Sequence, residues 1–415
     1  MTEATDQHIG TRVRIARTAA GLTQVEMAGF LGRSEHWVQD IERGRLTLDR
    51  YSVISSIADL TDVDVVWLLG QPYRLRGDGG SLAHAHIPAL RSGLRRAGLV
   101  LSGHPGLTPQ GTPLATRDLH ARTAAANRAR QAADLPAVAV ELPLLIEDLT
   151  TAIMTEGGRP RSEALRMMAD AARTARMCLN QLGYPDLAWV AAEVAAGAAT
   201  VLDDPLVRAA VAWDRCGALL HQGSLPEAAA VAEAALRDLE PLAAARTPEP
   251  EALSMRGALH LRAAVAFARG AGSSDDAWAR ITEALTDADR LGPDWHDVDQ
   301  QTVFGRGTVA VHAAEVGVEV EEPDTGLTKV PDADISSVPS KERRTHYEID
   351  RARAFERMGR LPAAVATLKG AASSAPYYVY ADPMSRALVS TLALKGVPSQ
   401  ASALSSLVRG MELVR

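Results

Sequence analysis

The chain has 415 residues with 44 basic and 51 acidic side chains, a net charge of -7 and a pI near 5.9. That length implies two or more cores, and that charge excludes a polybasic binder, so any nucleic-acid contact must come from a local patch. Cys178 and Cys216 sit singly without disulfide or zinc spacing, MTEATDQHIGTR carries no apolar leader, and the longest apolar stretch, LAWVAAEVAAGAATVL, is broken by Glu193, so the expectation is a reducing cytoplasm and no membrane span.

An aromatic content of 4%, spaced glycines and prolines, and no sustained alternation predict an all-α chain. Residues 9 to 70 read as short amphipathic helices parted by Gly21, Gly32 and Gly44 and closed at Gly70-Gln71-Pro72. In GLTQVEMAGFLGRSEHWVQDIERG, residues 21 to 44, Thr23 and Glu26 form a T-x-x-E capping box. Ala28 and Leu31 continue the inward face, Gly32 makes a tight turn, and Ser34 is placed to cap the next helix. Val13, Ala16, Leu22, Val38 and Ile41 supply the core of a five-helix domain. At about 100° per residue, Val38 and Ile41 mark the buried side of the second helix. Arg33, His36, Gln39, Asp40 and Arg43 then point outward, with Trp37 on the flank as a packing aromatic or a DNA contact.

This spacing resembles the helix-turn-helix of the Cro/C1 (XRE) repressor family over residues 9 to about 70. The resemblance implies a reading helix whose first residues, Glu35 and His36, reach base edges, with Asp40 one turn on. Carboxylates accept from cytosine N4, and histidine donates to guanine N7 or O6. Gln24 falls where the family's glutamine grips phosphate, Arg33 stands at the helix entry, and Arg43 and Arg45 stand at its exit. Ser34, Trp37 and Gln39 complete the implied DNA-facing set. The family's buried Arg-Glu pair maps onto Arg17 and Glu42, which would put Glu42 out of reach of DNA; the other reading leaves it on a solvated face. Residues 9 to 50 hold seven arginines against five acids, a charge low enough that the resemblance implies a homodimer on pseudo-palindromic double-stranded DNA.

The stretch QPYRLRGDGGSLAHAH reads as a linker, which divides the chain into residues 1–72, a linker with a basic helix over 73–115, and 116–415. Residues 74 to 130 carry nine arginines and two acids, either flanking DNA or solvating that helix. His84 and His86 read as surface or packing residues.

Beyond the linker, apolar helices end in glycine at 183, 223, 270, 317, 359 and 396. A second apolar helix follows most of them, as in SLPEAAAVAEAAL and RLPAAVATLKGAA. Each unit is a helical hairpin that must stack on its neighbours to bury its apolar face, so an α-solenoid is predicted. LPAVAVELPLLIEDL, after ARQAAD, reads as the second helix of an earlier unit. The units resemble tetratricopeptide repeats at Leu179, Leu182 and Gly183, at Phe355, Met358 and Gly359, and at the small residues Ala195, Ala235 and Ala371. Their intervals exceed the family's usual ~34 residues, Gln222 and Arg269 replace apolar residues, and the Gly270 and Gly317 units match poorly.

Phosphate-loop, dinucleotide, zinc-protease and C-x-x-C motifs do not occur, so neither catalysis nor a cofactor is expected. DWHDVD, with Asp294, His296, Asp297 and Asp299, reads as a solvated loop in preference to a metal site. Trp189, Trp213, Trp278 and Trp295 read as core. The order of parts resembles actinobacterial XRE-type regulators with tetratricopeptide-like C-terminal regions, in keeping with only four lysines among the basic residues. It implies a cytoplasmic, nucleoid-associated transcriptional regulator. Its repeats would bind a small molecule, peptide or protein partner, with Asn180 and Gln181 as candidate ligand contacts. The alternative is a protein- or peptide-binding adaptor with weak, localising DNA contact.

Overall fold

The computed structural model describes residues 8–73, 78–298 and 300–413, and these form α-helices with no strand among them. Five short helices open the chain: α1 (Ile9–Ala19), α2 (Gln24–Phe30), α3 (Glu35–Glu42), α4 (Tyr51–Thr61) and α5 (Val65–Leu69). Val13, Ala16, Met27, Val38, Ile41, Ile54, Ile57 and Leu68 close a core among them. The α1 and α3 backbones cross in contact, because a Cβ on Gly10 would lie 2.0 Å from the Ile41 carbonyl oxygen.

Next come α6 (Asp78–Ala85) and α7 (Ile87–Leu101). The 73–115 segment was expected to be a linker with a basic helix; the helix is present as α7, and its apolar face is packed into the repeats. Ile87, Leu90, Leu94 and Ala97 recur at helical spacing and join the apolar core that also holds Leu142, Ile146 and Ala191. Gly103 to Ala115 alone carries no helix in that stretch beyond the end of α7.

The repeats follow as helical pairs. They are α8 (Thr116–Gln131) with α9 (Leu135–Thr155), α10 (Gly158–Gln181) with α11 (Pro185–Leu202), α12 (Pro205–Gln222) with α13 (Leu225–Ala243), and α14 (Pro250–Ala266) with α15 (Ser274–Leu291). Then come α16 (Arg306–Glu319) with α17 (Pro323–Thr328), α18 (Lys341–Arg357) with α19 (Leu361–Ser374), α20 (Pro376–Ala381), and α21 (Pro383–Lys395) with α22 (Ala401–Gly410). Gly183, Gly223 and Gly359 turn their pairs at left-handed φ of 83°, 82° and 73°, which spares the steric cost a Cβ would bring. A proline in the first turn then starts α11, α13 and α19. Gly317 departs from the expected pattern, since it lies inside α16. A Cβ there would stand 2.7 Å from the Gly326 Cα, so it is a close-packing residue where α17 crosses, not a turn.

Among the described residues, Pro185–Leu202 is long and apolar enough to cross a membrane, yet it is a repeat helix whose alanines pack against α10. Both thiols are buried, and burial pushes Cys178 and Cys216 up to about 12. The DWHDVD loop is solvated as expected at Asp294 but not at Asp297. Asp297 accepts from Ser254 Oγ at 2.5 Å and from the Gln300 N–H at 3.0 Å, while the Gln300 and Gln301 carbonyls accept from Arg173 and Arg130. Asp299 lies outside the described residues.

The interior is ionic. Arg173 and Arg176 share Asp214, Arg130 holds Glu342, and Arg353 bridges Asp350 and Glu319. Arg269, at a nominally apolar repeat position, extends Nη2 to within 2.7 Å of Glu315. His346 Nε2 stands 3.5 Å from Glu315 and 3.3 Å from Asp350. Burial alone would lower its pKa, but Asp350 and Glu315 outweigh burial and raise it to about 9. A histidine raised on folding stabilises below its unfolded pKa of about 6.5 and loses that contribution as pH rises through the folded value. Urea melts should therefore show stability falling from near pH 6.5 to near pH 9, and His346→Gln should flatten that decline.

Candidate nucleic-acid interface

Local sequence chemistry builds the turn. Thr23 Oγ1 accepts from the Glu26 N–H at 3.1 Å while Glu26 accepts from the Thr23 N–H at 2.8 Å, completing the capping box. These bonds hold Glu26 below the usual carboxylate range. Gly32 turns at φ 62°, and Ser34 Oγ then accepts from the Trp37 N–H at 3.2 Å to start α3.

Arg17 and Glu42 pair as the resemblance implied, with Nε to Oε1 at 2.5 Å and Nη2 to Oε2 at 3.2 Å. The Glu42 side chain is 3% exposed, so its charge is spent inside the domain. Gln24 takes part in the same knot, donating from Nε2 to Glu42 Oε2 at 2.7 Å. Sequence reasoning placed Gln24 on phosphate. The structure places its amide beside the pair, where it also fixes α2 to α3.

The outward positions divide. Glu35, His36, Arg43 and Arg45 are exposed along one face, and Glu35 accepts from Gln39 Nε2 at 3.1 Å. Asp40 was expected outward, but its side chain is only 16% exposed. The chain after α3 folds back over it: the Arg45 N–H donates to the Asp40 carbonyl at 2.8 Å, and Arg45 Nη1 and His36 Nε2 stand 3.5 and 3.3 Å from its carboxylate. Trp37 is half-buried against the domain core, with the Arg33 guanidinium 5.7 Å from its ring.

Sequence reasoning missed how firmly this domain is fastened to the repeats. Asp49 is wholly buried and accepts from Arg353 Nε at 3.1 Å and from Arg357. Burial would raise its pKa, but Arg357 and Arg353 outweigh burial and hold it below the usual range. Thr47 donates to Glu356 at 3.3 Å, and Tyr51 lies under the Arg269 guanidinium at 4.2 Å. The repeat turns are shaped to this contact: a Cβ on Gly223 would stand 2.7 Å from Ser55 Oγ, and one on Gly183 would stand 2.9 Å from Gln71 Cβ. Met384 of α21 even joins the core of the N-terminal domain. Glu321, after α16, reaches Arg50 and lies 3.5 Å from Arg33 Nη2.

The two proposed ligand contacts part company. Asn180 donates to the Gly217 carbonyl at 3.2 Å deep between α10 and α12, while Gln181 donates to the Tyr378 carbonyl at 2.8 Å.

A capped helix, a glycine turn and a second capped helix with an exposed polar face define a helix-turn-helix DNA-binding domain, here joined to an all-helical, repeat-like domain. Residues 8–66 match the family described as a helix-turn-helix domain. No curated protein matches the chain. Among solved structures, Bacillus thuringiensis PlcR, in complex with the peptide PapR7 and DNA, is 14% identical with a TM-score of 0.34, over 68% of this chain and 95% of that one. So loose a superposition bears on neither the ligand nor the DNA geometry of this chain.

Arg33 and Arg50 are both engaged by one exposed carboxylate, Glu321. Glu321→Gln should release them, raising affinity for bulk double-stranded DNA and steepening the salt dependence of binding by about one unit of log-log slope per phosphate gained. Fluorescence anisotropy across a salt series measures both.

Proposed function

We propose that this protein is a sequence-specific transcriptional regulator of the Cro/C1 (XRE) kind, of the actinobacterial type with tetratricopeptide-like repeats. It binds double-stranded DNA as a homodimer at the chromosome, and its repeat domain senses a small molecule, a peptide or a protein partner. Its work is binding, not catalysis. One observation carries this reading: an exposed reading face on α3 belongs to a domain clamped by buried ion pairs to the repeats. A change in the repeats is thereby a change in where α3 is held. Dimers read two half-sites about one helical turn apart, so the orientation of each domain decides whether both halves fit. A ligand that favours one orientation shifts the population of DNA-competent molecules by its differential affinity.

Glu35 and His36 at the start of α3 are the base readers, Arg43 and Arg45 the phosphate contacts. Arg33 joins them when Glu321 lets go.

Selection of random double-stranded DNA by the purified chain at stated salt should enrich one pseudo-palindromic motif. Alanine at Glu35 or His36 should relax choice at particular base positions by about 1–3 kcal/mol each, while Arg43→Ala should weaken all sites alike. Enrichment of no motif over bulk DNA would favour the adaptor with localising DNA contact.

A further inference from the structure

Several arginines are buried inside the repeat domain, and most have carboxylate partners. Arg130 has Glu342, Arg173 and Arg176 have Asp214, Arg269 has Glu315, and Arg353 has Asp49, Asp350 and Glu319. Arg262 of α14 and Arg343 of α18 differ. No carboxylate lies within ion-pair distance of either among the described residues. Nε of Arg262, and Nε and Nη2 of Arg343, are out of solvent without a hydrogen-bond acceptor there. Arg343 is 6% exposed.

Both lie against the same side chain. Trp213 of α12 is 2% exposed, and the guanidinium carbons of Arg262, Arg176 and Arg343 stand 3.9, 5.4 and 5.5 Å from its ring. Arg176 and Arg262 also meet over Gly217, where a Cβ would lie 2.8 Å from Arg176 Nη1 and 3.3 Å from Arg262 Nη2. The aromatic face offsets part of the charge, but three cations share one ring, and the carboxylates that act on them, Asp214, Glu342 and Glu315, are already paired with Arg173 and Arg176, with Arg130 and with Arg269. Burial, then Arg176 and Arg343, push Arg262 down to about 9. His312 nearby is pushed to about 3, chiefly by burial, and so adds no charge. Arg262 keeps part of its surface open to solvent.

We infer that Arg262, Arg343 and Arg176, gathered on Trp213, form a binding site for a small organic anion bearing a carboxylate or phosphate group. Unpaired buried guanidiniums are costly to keep, and a planar or tetrahedral anion accepting their forked N–H groups removes that cost. The inference deepens the proposed regulator, on which its functional meaning rests. The segments that carry the two unpaired arginines also carry the clamp: α14 leads from Arg262 into the helical turn Phe267–Ala271, whose Arg269 lies over Tyr51, and α18 runs from Arg343 to Arg353 and Arg357 on Asp49. An anion that draws Arg262 and Arg343 together acts on both ends of the dock.

The test is thermal denaturation of the full chain titrated with citrate or with inorganic phosphate, each against sodium chloride at matched ionic strength. A saturable rise in Tm is expected with at least one; citrate alone assigns a carboxylate ligand, phosphate alone a phosphoryl one. Arg262→Met and Arg343→Met should each raise the half-saturating concentration about tenfold or more, with the anion-free Tm level or higher. Arg43→Ala with Arg45→Ala, on the DNA face, should keep the rise. No rise with either salt overturns the site, as does a rise the two methionine variants leave intact. A fall in anion-free Tm in both variants marks the arginines as fold residues and overturns it too. DNA selection reads α3 separately, so failure of the anion site leaves the regulator standing, and failure of selection leaves an anion site on an adaptor.

Discussion

A carboxylate buried between two domains governs this molecule. Asp49 comes from the loop between α3 and α4, has no access to solvent, and meets Arg353 and Arg357 from one helix of the repeats. Charge in such a place is tolerated only when paired, and removal of one partner of a buried pair typically costs about 3–5 kcal/mol. The pair therefore specifies where the DNA-binding domain sits more than it adds stability. The remaining contacts agree with it: Tyr51 under Arg269, Ser55 on the Gly223 turn, Met384 in the small domain's core.

The dock determines what α3 can offer. Its buried side, Val38 and Ile41, faces the small core, and Glu35, His36, Arg43 and Arg45 remain on the free face. The same loop that delivers Asp49 also folds Arg45 over Asp40. Glu42 is consumed by Arg17 and Gln24, so the helix presents fewer acids to DNA than its sequence contains. Arg33 and Arg50 are held by Glu321, a charge from the repeats. The small domain thus meets the charges of the repeats at two places, one buried at Asp49 and one exposed at Glu321.

Local chemistry was legible and distant pairing was not. Thr23 with Glu26, and Ser34 before α3, announce their helix starts within four residues. The turn glycines at 183, 223 and 359 and the prolines after them announce the hairpins, and together these gave the all-α architecture. Arg17 and Glu42 were reached through resemblance, since nothing local distinguishes them from surface charges. Gly317 has the look of a turn, but only the crossing of α17 shows it to be a packing residue. The helix over 87–101 was legible as a basic helix, but the packing of Ile87, Leu90, Leu94 and Ala97 into the repeat core was not. Asp49 lies 304 positions from Arg353, and no pattern along the chain links them. That Arg262 and Arg343 have no carboxylate at ion-pair distance among the described residues is likewise a property of space, not of spacing.

The central claim is that Asp49 holds the DNA-binding domain on the repeats. Hydrogen exchange of the full chain, comparing wild type with Asp49→Ala, tests it most directly. Protection over Tyr51–Thr61 and over residues 353–357 should fall together, while α10 and α11 keep theirs. Unchanged protection in α4 would contradict the account, because the dock would then hold without its buried charge.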